Sequence, residues 1–231
     1  MTGARTRRRC IAAGCCVLAW ASASASASAS LPAAGEAPGL RFEQVFSDRG
    51  EPSALHYQAR YTVGGVPHRL EVWRDGQSRL VRRTDDAIET HVTRQPGDAD
   101  YRMVVLDLRR RIATRIDRDD LYRIGRFTDW FDLAHGLRQP LAAYRLTAAP
   151  APGAAPRAID ACRWYALVQA GQRTQVCWSV QEHLPLLMLD QGGSVLWQVT
   201  ALARTPVPAA VLEVHDRGFV RNDASQDISG D

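Results

Sequence analysis

Lysine is absent from this chain: all 29 of its basic residues are arginine. That usage reads as a coding bias and carries no function. A working surplus of positive charge is absent as well. The formal charge is +4 and the pI about 9.0. Arg5, Arg7, Arg8 and Arg9 lie before residue 31, where there is no acid, and beyond them 25 arginines face 25 acids. Nucleic acid is therefore excluded as a partner class, because binding phosphates needs a basic excess that survives in the mature protein. Long apolar runs are missing too. The longest, from Cys10 to Trp20, is about half of the ~20 residues that span a bilayer, so no transmembrane segment is expected in the mature chain.

Catalytic and metal motifs are also lacking. No two of His56, His68, His91, His135, His183 and His215 stand three or four residues apart, so no helical metal pair is available. Asp117-Arg-Asp-Asp120 lacks the central glycine and later glutamate of a calcium loop and reads as a solvated turn. The serines sit in no nucleophile elbow, and the Gly-Gly pairs do not lead into helices as phosphate loops do. Arg109-Arg110-Arg111 lies between Asp107 and Asp117 and reads as a solvated hairpin turn. No metal, cofactor or enzymatic activity is expected.

What is present begins with a leader. Residues 1–30 combine an Arg-rich start, the short apolar run and an Ala/Ser repeat from Ala21 to Ser30, the pattern of a cleaved secretory signal with several small-x-small sites. A lipoprotein-type cleavage at Ala12-Ala13-Gly14-Cys15 is a rival, weakened by Ala in place of the usual Leu. Export to the periplasm removes Cys10, Cys15 and Cys16 and leaves Cys162 and Cys177, an even pair in an oxidising compartment and hence a predicted disulfide. The two flank a hairpin. A turn at Gln169-Ala170 sets them directly opposite, whereas a turn at Ala170-Gly171 opposes Cys162 to Ser179 and needs an irregularity for the bond to close.

The mature chain alternates with period two. In Leu55 to Val63 the residues Leu55, Tyr57, Ala59, Tyr61 and Val63 share one face, the mark of a half-buried antiparallel strand. Similar segments run over 68–74, 77–84, 87–95, 101–108, 111–118, 141–147, 161–169, 174–181, 184–190, 195–203 and 210–215, with turns such as Gly64-Gly65, Asp75-Gly76 and Pro96-Gly97 between them. One helix is convincing, from Asp129 to Gly136: it has Thr128 or Asp129 as N-cap, and Trp130, Leu133, Ala134 and Leu137 form one apolar stripe. The predicted fold is mainly β: a single antiparallel, curved, half-barrel-like sheet of about ten to eleven strands with one short helix as a partial lid. It occupies residues 31–221 as one domain, with a Pro/Ala loop at 148–156 and a disordered tail at 222–231.

One short helix is a thin second layer for so many strands. The expectation is an apolar concave face that accepts a lipid, an acyl chain or a lipidated protein. Its candidate lining residues are Tyr57, Tyr61, Leu70, Val72, Val104, Leu106, Ile112, Trp178 and Leu187, with Trp130 on the lid. The alternative is a filled core in a module that binds an envelope protein partner.

The segments Cys177-Trp178, Leu184-Pro185-Leu186-Leu187 and Leu196-Trp197-Gln198-Val199-Thr200, with the earlier Leu70-Glu-Val-Trp73-Arg-Asp-Gly76 and Val105-Leu-Asp107, resemble the strands of the periplasmic lipoprotein-carrier superfamily in order and type over residues 40–203. The resemblance implies an unclosed half-barrel with a helical lid over a hydrophobic cavity. It also implies an arginine that locks the lid, for which Arg60 and Arg74 are the candidates. The Cys162/Cys177 pair and the single clear lid helix depart from the carrier pattern.

Overall fold

The computed structural model describes residues 39–123 and 128–225; the predicted signal at 1–30 lies outside them. Twelve strands form one open sheet in the order β12-β6-β5-β4-β3-β2-β1-β11-β10-β9-β8-β7. The first meander is β1 (Ala54–Val63), β2 (Val66–Asp75), β3 (Arg79–Thr84), β4 (Ile88–Thr93), β5 (Arg102–Asp107) and β6 (Ile112–Asp117). The second is β7 (Tyr144–Ala148), β8 (Arg163–Gln169), β9 (Gln172–Ser179), β10 (Leu184–Leu189) and β11 (Val195–Ala203). Pairing of β1 with β11, His56 opposite Ala203, joins the two halves.

The alternation seen in the sequence sets the faces. Tyr57 pairs with Val72 and Ala59 with Leu70, Arg74 pairs with Leu80, Leu80 with Val92 and Val92 with Met103. These residues line the inner face, and Leu55, Tyr57, Val72, Leu80 and Val92 are all but excluded from solvent. Over them lies α3 (Trp130–His135), the expected helix. Its N-cap Asp129 accepts a hydrogen bond from the Asp132 N–H. It stops at Gly136, which is left-handed (φ 66°) and so close to Trp197 that an added Cβ would sit 2.6 Å from the indole. Glycine is required there on both counts.

A second cover was not legible as a helix. The single turn α1 (Phe42–Val45) packs Phe42 and the following Phe46 on Leu146, Leu167, Val176 and Trp178, with Phe46 and Trp178 edge to face at 5.1 Å. Another short helix, α2 (Arg118–Arg123), stands where a solvated turn was expected. Asp120 is buried and accepts from the Asp117 N–H, so the acid-rich stretch starts a helix, as acids at a first turn do.

The outer face of the first meander also has a cover. Residues 210–215, expected as a strand, instead hold the turn α4 (Ala209–Leu212), which lies against β3. The last strand among the described residues is β12 (Val220–Asp223), paired parallel to β6 with Val220 opposite Ile112. Asn222 and Asp223, expected to be disordered, are therefore part of the sheet. From β11 to β12 the chain passes seven inter-strand spacings, about 34 Å at ~4.8 Å each, within the reach of residues 204–219. On the outer face of this meander Trp73, Val81, Leu106 and Ala113 are buried; His56 stacks on Trp73 at 5.1 Å and the Arg83 guanidinium lies 5.3 Å from the same ring. The Arg111 guanidinium stacks on Phe219 at 5.3 Å and donates to the Arg217 carbonyl at 3.2 Å.

The disulfide joins Cys162 to Cys177, with Cα atoms 5.3 Å apart. Gln169 pairs with Gln172 and Arg163 with Trp178, so the turn is Ala170-Gly171, both with positive φ. In that register Cys162 would face Ser179. The bond closes because Cys162 lies just outside the ladder, which begins at Arg163. Ala155 of the Pro/Ala loop and Ala158 just after it pack with Cys162 and Trp164 against the core.

Candidate functional site

The space between sheet and lid holds the candidate site. Of the predicted lining residues, Tyr57, Tyr61, Leu70 and Val72 lie on the inner face by register. So does Ile112, at the far end beyond Asp107 and Ile88. Trp178 belongs to the cluster under Phe42 and Phe46, and Trp130 enters the core from α3. The remaining three lie elsewhere. Val104 pairs with His91 and Leu106 with Glu89 on the outer face, and their neighbours Met103 and Val105 point inward instead. Leu187 pairs with Cys177, which pairs with Trp164; Leu187 thus faces the side of the Pro/Ala loop. A run such as Val104-Val105-Leu106 is apolar on both faces, so alternation gives no sign of which face is inward. Leu184-Pro-Leu-Leu-Met-Leu189 has the same property and is buried on both.

The inner residues do not line an open apolar cavity. Tyr57, Leu70, Val72, Trp130 and Trp178 are buried to within 3% of full exclusion. Burial pushes the Tyr57 phenol up to about 12, so it stays protonated and donates to the Ala134 carbonyl of α3 at 3.3 Å. Two clefts lie open to solvent with charged residues on their borders. One of about 480 Å³ is bordered by Arg94, Asp98, Asp100, Tyr101 and Arg118. Another of about 630 Å³ lies beside α1, bordered by Phe42, Asp48 and Phe131.

At the middle of the covered face, polar groups replace apolar ones. Arg74, 0% exposed, extends from β2 toward the cover. Its Nη1 lies 3.2 Å from Glu51 Oε2, and its Nη2 donates to the Glu182 carbonyl at 3.0 Å. Glu51 comes from the loop between α1 and β1, and the same Oε2 lies 3.2 Å from His135 Nε2 on α3. His135 Nδ1 donates to the Phe131 carbonyl at 2.9 Å, and the imidazole stacks on Phe131 at 4.1 Å. Burial holds the imidazole below its ordinary range, against the pull of Glu51. The Glu182 carboxylate, also buried, is held by Arg204, which reaches on to Asp160. Arg94 stacks on Trp130 at 4.1 Å and donates to the Gln77 carbonyl. Sheet, loop and lid thus meet at one carboxylate.

Of the two lock candidates, Arg60 is exposed and Arg74 lies under the lid. The signal for Arg74 was there: it follows Leu70 and Val72 at period two, a charge on an inward position. Nothing marked Glu51 or His135, because their roles depend on where a loop and a helix land on the sheet.

No protein-family model and no curated protein matches the chain. Among solved structures a similarity is found to the crystal structure of MucB. The identity is 15% and the TM-score 0.35, over 78% of this chain and 62% of that one. The chain thus spans less than two thirds of the length of that structure.

Proposed function

We propose that this chain is an extracytoplasmic, non-enzymatic binding protein that admits an acyl chain, free or on a lipidated partner, between its inner sheet face and α3. The observation that supports the reading is the Arg74–Glu51–His135 group under the lid. A cover that served only to close a core would be more stable with apolar residues at these positions, since burying ion pairs gains little or costs stability. Buried charge that ties a lid to a sheet specifies one closed arrangement and leaves another within reach. The disulfide fits the compartment.

The test is lipid extraction from protein purified from the periplasm, with native mass spectrometry and fluorescent fatty-acid titration. The expected result is a co-purifying lipid or saturable binding at micromolar concentration or below. Absence of both would sink the reading. The filled inner face supports a second reading, a module that holds an envelope protein on its surface. It predicts a stable complex in envelope pull-downs that does not respond to added lipid.

A further inference from the structure

Arg74 is poorly served by its own protein. It is fully buried on the inner face, yet Nε and Nη1 have no hydrogen-bond partner among the described residues. Nη1 is within ion-pair distance of Glu51, at 3.2 Å, without hydrogen-bond geometry. Glu51 is no better placed. Its Oε1 has no partner, and its Oε2 faces His135 Nε2. Because His135 Nδ1 must carry a proton to donate to Phe131, a neutral ring turns the Nε2 lone pair toward that carboxylate. A buried guanidinium with unused donors and a buried carboxylate with unused acceptors are each costly to leave so. Glu51 is carried on a loop, whereas Arg74 belongs to the sheet, flanked on its own face by Leu55 on β1 and Leu80 on β3.

We propose that Arg74 is the head-group site for a carboxylate-bearing amphiphile, a long-chain fatty acid, and that the Glu51 side chain occupies that site as an internal stand-in when no ligand is bound. The inference rests on the acyl-binding reading above and adds the class of head group. The entering carboxylate replaces Glu51 on Arg74 and takes up guanidinium donors that are now unused. Glu51 moves out with its loop toward water. The tail takes the ground of the α3 stripe, where Trp130, Leu133 and Ala134 now meet Leu55, Tyr57, Leu70, Val72 and Trp197. Departure of Glu51 also takes the carboxylate away from His135 Nε2, so head-group binding changes the contact between the loop and α3. Arginine suits this role because its charge survives burial and its planar donors match a carboxylate.

The experiment compares tritiated palmitate with tritiated hexadecanol, equal in tail and different in head, on the exported full-length protein at neutral pH. The expected result is at least tenfold tighter binding of palmitate. Glu51→Gln should tighten palmitate several-fold and by more than it changes hexadecanol, whereas Arg74→Gln should bring palmitate to the hexadecanol level. Equal binding of the two ligands by the native protein overturns the head-group assignment while the acyl-binding reading stands. Binding of neither overturns both. A Glu51→Gln variant that binds palmitate no better than the native protein overturns the stand-in. The native comparison needs no substitution, so it decides even if Arg74→Gln fails to fold.

Discussion

At the scale of single residues, the buried polar group under α3 makes the protein sensitive to acid. Burial lowers the His135 pKa from its ordinary value of 6.5, so the unfolded chain binds a proton at a pH where the folded protein still resists it. The resulting stabilisation is complete above about pH 6.5 and is lost as pH falls toward the depressed folded value. The melting temperature should drop between pH 7 and 5. His135→Leu should flatten that drop while lowering the neutral-pH value, since it removes the Phe131 stack and the bond to the Phe131 carbonyl. Melting curves at matched ionic strength check this, and an unchanged pH slope in the variant assigns the effect to other groups. Arg74 itself was half legible in the sequence: its position on the inward face of a strand follows from period two. Its partners did not follow, because a contact between residues 51, 74 and 135 is a property of tertiary placement.

Single elements show where pattern suffices and where it fails. β1, with strict alternation and a Gly-Gly turn after it, runs from Ala54 to Val63, within a residue of the expected bounds. α3 has both an N-cap and a glycine stop, and its expected span agrees. α1 has no such signals: it is one turn without a side-chain cap, held by what Phe42 and Phe46 bury. α4 is preceded by Pro208, and its Ala-Ala-Val-Leu run reads equally as strand because four residues cannot distinguish the two periods. The hairpin of β8 and β9 carries the disulfide. Its separation of 15 residues corresponds to about 3 kcal/mol on the chain-entropy account. Cys162→Ala with Cys177→Ala should therefore lower the unfolding free energy in urea by about that amount. Thiol titration of the denatured, unreduced exported protein should find no free thiol from this pair.

On the scale of the whole molecule, the open sheet is two meanders joined at β1 and β11, and that general form was legible because each hairpin is local. The outer cover was not. Val81 and Leu106 are buried on the outer face of the first meander, while the strap that crosses from β11 to β12 reads as no regular cover, mixing Pro-Val-Pro-Ala-Ala-Val-Leu with polar residues; only its path from one edge region to the other gives it a role. A chain ending at Thr205 keeps β11 whole and loses the strap. Exposing outer-face side chains such as Val81 and Leu106, at about 1.5–3 kcal/mol each, should lower the melting temperature by on the order of 10 °C and raise the binding of an apolar dye. Calorimetry and dye titration of the truncated protein check this; a native-like melt would mean that the strap contributes little.

The strap also has a consequence for biosynthesis. Because β12 pairs with β6 across a separation of 108 residues, Val220 with Ile112, its docking site exists only once the first meander has formed, and its residues are the last of the described chain to be made. Any product cut short in translation, or clipped near residue 204, would lack both the turn against β3 and the strand paired to β6, and would display an open sheet edge and an uncovered outer face. Completeness of the polypeptide is thereby made visible on the surface, in a form that chaperones and quality-control proteases can read.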